Sequence, residues 1–129
     1  MAQRSLVFLI IFTGGGIGSI LRHAINQASA VAFGVNFPFG TLLVNLSGSF
    51  LMGVLAGWFA LRGHDSHVRV FLTTGVLGGF TTFSAFSLDA AVMWERGQIG
   101  LTVIYAGTSV AGAILGVFCG LFFVRKLVL

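Results

Sequence analysis

The sequence predicts an all-α membrane protein of four transmembrane helices, the third broken at its centre. Three observations carry that expectation. The 129-residue chain is 57% hydrophobic and only 8% charged, with a mean hydropathy of +1.03. That is more apolar surface than a soluble domain of this size can hide, and too much for a disordered chain. Four apolar runs each approach or exceed the roughly 20 residues a helix needs to cross the hydrocarbon layer. One of them holds Gly75-Val-Leu-Gly-Gly-Phe-Thr-Thr-Phe-Ser-Ala-Phe-Ser87, a glycine and hydroxyl cluster at a depth where irregular backbone survives only if protein or water covers it.

The first span is expected over residues 5–26, where it ends in polar side chains. Arg4 before the run and Ala28-Ser-Ala30 after it mimic a signal peptide with its cleavage site. The run is nevertheless Gly-rich, carries Arg22, His23, Asn26 and Gln27, and is followed by further spans, so it is read as a retained helix. The second span, 38–61, opens at Pro38, the only proline, whose missing N–H suits a helix start. The polar segment 62–67 lies outside the bilayer.

The third span, 70–97, has 28 residues, about 42 Å as one helix against a hydrocarbon core of about 30 Å. A break near 78–82 absorbs the excess and explains the residue choice there. The fourth span, 100–124, stops at Arg125-Lys126. Together the spans form one four-helix domain covering residues 1–129.

Small residues recur at four-residue spacing: Gly14 and Gly18; Ser49, Gly53 and Gly57; Gly75 and Gly79; Gly112, Gly116 and Gly120. Such rows let helix backbones approach closely in lipid. Four helices enclose a polar pathway poorly on their own, so a homodimer is expected, with some rows at the subunit contact. Arg4, Arg62, Arg69, Arg125 and Lys126 share one side of a four-span chain, against Arg22 and Arg96 on the other. The bias favours that side as cytoplasmic. The cations are scattered, with no basic stripe of interleaved aromatics, which argues against a nucleic-acid partner. Cys119 is alone and reads as an apolar filler, while His64 and His67 read as a solvated loop pair.

The polar inventory inside the spans is short. Asp89 is the single candidate embedded acid, whereas Thr41, Asn45, Ser84, Tyr105 and Ser109 are uncharged donors. That inventory suits a small anion better than a proton relay. An amide in lipid must find partners, and for Asn45 a helix–helix bond or an ion remain equally open. Tyr105 and Ser109 share one face at i, i+4. Phe83 and Phe86 share a face at i, i+3, where ring edges carry partial positive charge. A break also frees carbonyls suited to a hard cation, and Gly78 and Thr81 are placed for that role.

Residues 78–87, Gly-Gly-Phe-Thr-Thr-Phe-Ser-Ala-Phe-Ser, closely resemble the G-G-x-T-T-F-S-T-F-S signature of the Fluc/CrcB fluoride channels. Gly40-Thr-Leu-Leu-Val-Asn45 resembles the family's G-T-L-x-V-N motif, and residues 15–22 resemble its Gly-rich first span ending in arginine. The resemblance implies an antiparallel, dual-topology homodimer with two fluoride pores in the bacterial cytoplasmic membrane, and no enzyme. It implies that Phe83 and Phe86 face the pore and that Asn45 donates to fluoride, with Ser84 and Thr41 along the pathway. Tyr105 and Ser109 would form a polar track, and Arg22 would lie near a pore entrance. Backbone carbonyls of Gly78 and Thr81 from both subunits would hold a structural sodium ion. One departure stands out: family members often carry Ser or Thr four residues after the Ser109 position, and this chain has Ala113. Thr102 or Thr108 would have to compensate.

Two rival readings make different demands. A small four-span multidrug or cation transporter needs an embedded acid, and the first span has none; proton-coupled uptake abolished by Asp89→Asn would revive it. A non-transporting membrane subunit predicts an isolated protein that is unstable and inert.

Overall fold

The computed structural model describes residues 2–63 and 65–128. Among them the regular structure is entirely helical: α1 (Ala2–Phe33), α2 (Phe39–Arg62), α3 (Ser66–Val70), a π-helical stretch (Phe71–Leu77), α4 (Gly78–Phe80), α5 (Phe83–Glu95) and α6 (Ile99–Val128). Four stretches are long and apolar enough to cross a membrane: Gln3–Phe33, Phe39–Arg62, Ser66–Glu95 and Ile99–Val128. The third comprises α3 to α5 with the π-helical stretch between.

Two spans run longer than the sequence suggests. α1 continues through Asn26 and the Ala28-Ser-Ala30 segment to Phe33, and Gly34 ends it at positive φ (80°) while bonding back to Ala30 O. Polar side chains had marked the expected end, yet Ser29 is buried among neighbouring helices rather than sitting at a boundary. α6 likewise extends past Arg125 and Lys126, whose cations fall in its last turn, where the helix dipole favours them. Pro38 stands just before α2, and its carbonyl accepts from Leu42 N.

α1 packs on α2 and on the first half of the third span, while α6 packs on α2 and on α5. Glycines set these approaches. A methyl at Gly18 would meet Val76 O and one at Gly79 would meet Gly15 O, so the two backbones touch directly. A methyl at Gly53 would meet Val117 O, and one at Gly120 would meet Phe50 O, joining α2 to α6 in the same way. Gly14, Gly57, Gly75, Gly112 and Gly116 also face intrachain neighbours. The small-residue rows are therefore filled within the chain, and a subunit contact has to use other surface.

The break itself is narrower than the expected 78–82. Gly78 is regular helix (φ −64°, ψ −37°), and the extended residues are Thr81 (φ −81°, ψ 155°) and Thr82 (φ −152°, ψ 114°). Gly79 is there for its contact with α1, not to open the helix. Thr82 then restarts the chain as an N-cap, its hydroxyl accepting from Ala85 N at 3.1 Å.

Candidate functional site

The break is built by replacing helical hydrogen bonds one at a time. In a continuous helix Thr82 N would donate to the Gly78 carbonyl and Ala85 N to the Thr81 carbonyl. Here Thr82 N donates to Asn45 Oδ1 at 2.7 Å, and Ala85 N donates to Thr82 Oγ1. The carbonyls of Gly78 and Thr81 are thus released from the ladder. Asn45 Nδ2 completes a two-point clamp by donating to Thr82 O at 2.9 Å. The helix–helix role left open for Asn45 is therefore filled, and one Nδ2 hydrogen remains for another acceptor.

Beside the clamp lies a cleft of about 310 Å³ lined by Asn45, Ser49, Thr81, Thr82, Phe83, Phe86, Ser109, Val110, Ala113 and Ile114. No charged side chain lines it. Ser109 Oγ is buried in the cleft wall without a hydrogen-bond partner among the described residues. A buried hydroxyl with nothing to bond costs about 1–3 kcal/mol, and helical serines normally bond the carbonyl four residues back. Ser47, Thr13, Ser87 and Thr102 all do so. Ser109, a residue of the cleft lining, is the one among these without such a bond.

Phe83 and Phe86 flank the same space with ring centroids 5.3 Å apart. They are unequal: Phe86 is 8% exposed and Phe83 is 76% exposed. Behind Phe86 stands Tyr105, fully buried, with its ring 5.3 Å from Phe86 and edge-on to Phe37. Its hydroxyl donates to Asp89 Oδ2 at 3.2 Å and also engages Thr41. Thr41 and Asp89 line a second recess with Asn26 and Ser29. Tyr105 therefore sits between the recess and the cleft.

The structure groups the expected residues unevenly. Asn45, Phe83, Phe86 and Ser109 meet in the cleft. Thr41 belongs to the recess, and Ser84 is exposed, its hydroxyl 3.2 Å from Thr82 Oγ1. Arg22 reaches the break itself, donating from Nε to Gly79 O at 3.1 Å. Neither proposed substitute for the group lost at Ala113 serves: Thr102 Oγ1 bonds Gln98 O, and Thr108 does not line the cleft. Ser49 of α2 lines it instead. In the sequence Ser49 is one of the polar residues of the second span and a member of a small-residue row, and neither pattern alone assigns it to the pathway. Its four-residue spacing from Asn45 was the available signal, because it places the two on one helix face. At the start of the third span, Asp65 caps α3 and pairs with His67 at 3.0 Å; His64 lies outside the described residues.

A cleft with amide and hydroxyl donors, phenylalanine edges and no charged lining suits a small anion and offers no nucleophile–base pair. The model of the family described as "CrcB-like protein, Camphor Resistance (CrcB)" matches residues 9–121. The chain belongs to the CrcB-like family. Among curated relatives, "Fluoride-specific ion channel FluC 2" of Nitrobacter hamburgensis is 55% identical over 121 residues, covering 93% of this chain and 98% of that protein. "Fluoride-specific ion channel FluC" of Rhodopseudomonas palustris is 52% identical over 123 residues, covering 95% and 99%. The protein of that name from Novosphingobium aromaticivorans is 54% identical over 115 residues, covering 87% and 90%. The CrcB match spans all four helices and includes the clamp, the break and both phenylalanines.

Proposed function

We propose that this CrcB-family chain is a passive, fluoride-selective ion channel of the bacterial cytoplasmic membrane, exporting fluoride and lowering its toxicity. The observation that carries the reading is the cleft lined by Asn45, Phe83, Phe86 and Ser109, whose buried hydroxyl has no partner among the described residues. Uncharged donors can replace part of a fluoride ion's hydration shell without holding the ion too tightly to leave. The ring edges add weak attraction. Fluoride as the ion comes from the relatives' names; the donor chemistry alone reaches only a small anion. An inside-negative potential drives anions outward by about 2.3 kcal/mol per charge per 100 mV, so no coupled ion is needed.

In this reading the functional unit is an antiparallel homodimer. Phe83 is 76% exposed, and Gly78 and Ser84 are exposed beside it. This leaves the break and one wall of the cleft open to a second copy. Antiparallel pairing would also place the five-cation side of one subunit beside the two-cation side of its partner. The released carbonyls of Gly78 and Thr81 suit a hard cation, and a second copy would raise the set from two to four. A sodium ion there would tie the two breaks together and supply fixed positive charge.

Two experiments test the reading. Expression in a bacterium deprived of its own fluoride export should restore growth in fluoride-containing medium; a lack of rescue by correctly inserted protein counts against it. Thermal stability of the purified dimer should rise with sodium and not with an organic cation at the same ionic strength. Equal stability in both would remove the sodium site.

A further inference from the structure

Among the described residues Arg22 is the one cation that the fold brings to the break, and its geometry assigns it a task other than facing an ion. Its Nε lies 3.1 Å from Gly79 O, Ser19 Oγ lies 3.4 Å from the same oxygen, and Arg22 Nη2 lies 3.5 Å from Ser19 Oγ. Among the described residues no carboxylate pairs with Arg22. A guanidinium held at this depth by neutral oxygens is expensive to desolvate, so its hydrogen bond to the carbonyl is central to keeping it there.

The break releases the carbonyls of Gly78, Gly79, Phe80 and Thr81 together, because the amides four residues on either donate elsewhere or lie in the first turn of α5. α1 takes the second of them. We infer that Arg22 is a positioning residue: by occupying Gly79 O with Ser19, it fixes the rotation of the break and with it the directions of the released carbonyls of Gly78 and Thr81. Two helices then grip the break from opposite ends, α1 at Gly79 and α2, through Asn45, at Thr82. The clamp stands on the geometry alone; only its flux consequence rests on the channel reading.

Side-chain length makes the inference testable. The donating atom is Nε, the fourth side-chain atom of arginine counted from Cβ. Glutamine carries its amide nitrogen at the same position without charge, whereas lysine keeps the charge but moves the donor one atom further out. A clamp therefore ranks Arg22→Gln above Arg22→Lys, and a pore-entrance charge ranks them the other way. In fluoride efflux from liposomes, Arg22→Ala should lose about tenfold, in keeping with a lost hydrogen bond to a charged donor, and Arg22→Gln should keep most of the rate. Lysine close to wild type, with glutamine as poor as alanine, would overturn the proposal.

A second readout does not depend on flux. Gly79–Phe80 is the only Gly-Phe step in the chain. Carbonyl-¹³C glycine with ¹⁵N phenylalanine therefore isolates the Gly79 carbonyl in solid-state NMR of the full-length protein in lipid. Its resonance should move upfield in Arg22→Ala and move back toward the wild-type position in Arg22→Gln; an unmoved resonance would overturn the clamp. If Arg22→Ala does not fold, selective dephasing of the wild-type Gly79 carbonyl by arginine ¹⁵Nε decides the matter. Dephasing appropriate to a carbonyl carbon whose oxygen lies 3.1 Å from Nε supports the contact, and none contradicts it. A protein that shows this contact but neither conducts fluoride nor responds to sodium keeps the clamp and loses the channel reading.

Discussion

The two halves of the third span are packed by opposite means. The first half, from Ser66 to Phe80, lies against α1 with backbone on backbone, Gly75 facing Gly14 and Gly79 facing Gly15. The second half, α5, lies against α6 through side chains, Phe86 and Met93 against Tyr105. The first half has no room to approach α1 more closely, while the second presents the rings of Phe83 and Phe86 to a cleft. A span built this way divides its work: the glycine half fixes where the break is, and the aromatic half lines the cleft beside it. The break at Thr81–Thr82 divides the two.

Substitutions should divide along the same line. The largest effect is expected at Gly79→Val, where added carbon meets Gly15 O and neither backbone can yield. Overpacking of about 1–3 kcal/mol or more is expected, read as loss of the folded species by size-exclusion chromatography. A well-folded Gly79→Val would dissolve the distinction between the halves.

Asn45→Ala comes next. It leaves Thr82 N without its partner, at about 1–3 kcal/mol for a buried donor left unpaired, and takes from Thr82 O the bond that supplements its helical one. Thermal stability and fluoride flux should fall together, because the clamp both holds the break and borders the cleft.

Ser109→Ala should separate the two properties. Its hydroxyl has no partner to lose, so the melting temperature should stay level or rise. Fluoride flux should drop about 10-fold or more, the equivalent of a hydrogen bond to a charged group at about 1.5–3 kcal/mol. Flux unchanged in Ser109→Ala would remove the cleft from the pathway.

The smallest effect belongs to Asp65, the cap of α3. The His67 N–H bonded to it holds its carboxyl below the usual range. A lowered folded-state pKa adds stability above the unfolded value and loses it as pH falls through the folded one. Stability should therefore be flat near neutrality and decline slightly below about pH 4. That decline should be missing in Asp65→Asn. At so exposed a site the difference is small.

Much of this was legible in the residues. Span number followed from hydropathy, and the break followed from the length of the third run together with its Gly-Gly-Phe-Thr-Thr centre. What periodicity does not encode is which of those residues opens. The glycines looked like the hinge and proved to be contact points, because a glycine that admits a neighbouring backbone and one that bends a helix are identical in sequence. Ser49 was hidden for a similar reason: a small residue in a glycine row reads as packing until a cleft is found beside it. Asn45 was balanced between two roles, and only the paired distances to Thr82 show the clamp.

The most direct test is ion efflux from liposomes loaded with potassium fluoride or potassium chloride, with valinomycin present to carry the balancing potassium. The wild-type protein should empty the fluoride vesicles only after valinomycin is added, and should leave the chloride vesicles full. Fluoride retained despite valinomycin, or both anions released alike, would contradict a passive fluoride-selective pathway through this cleft.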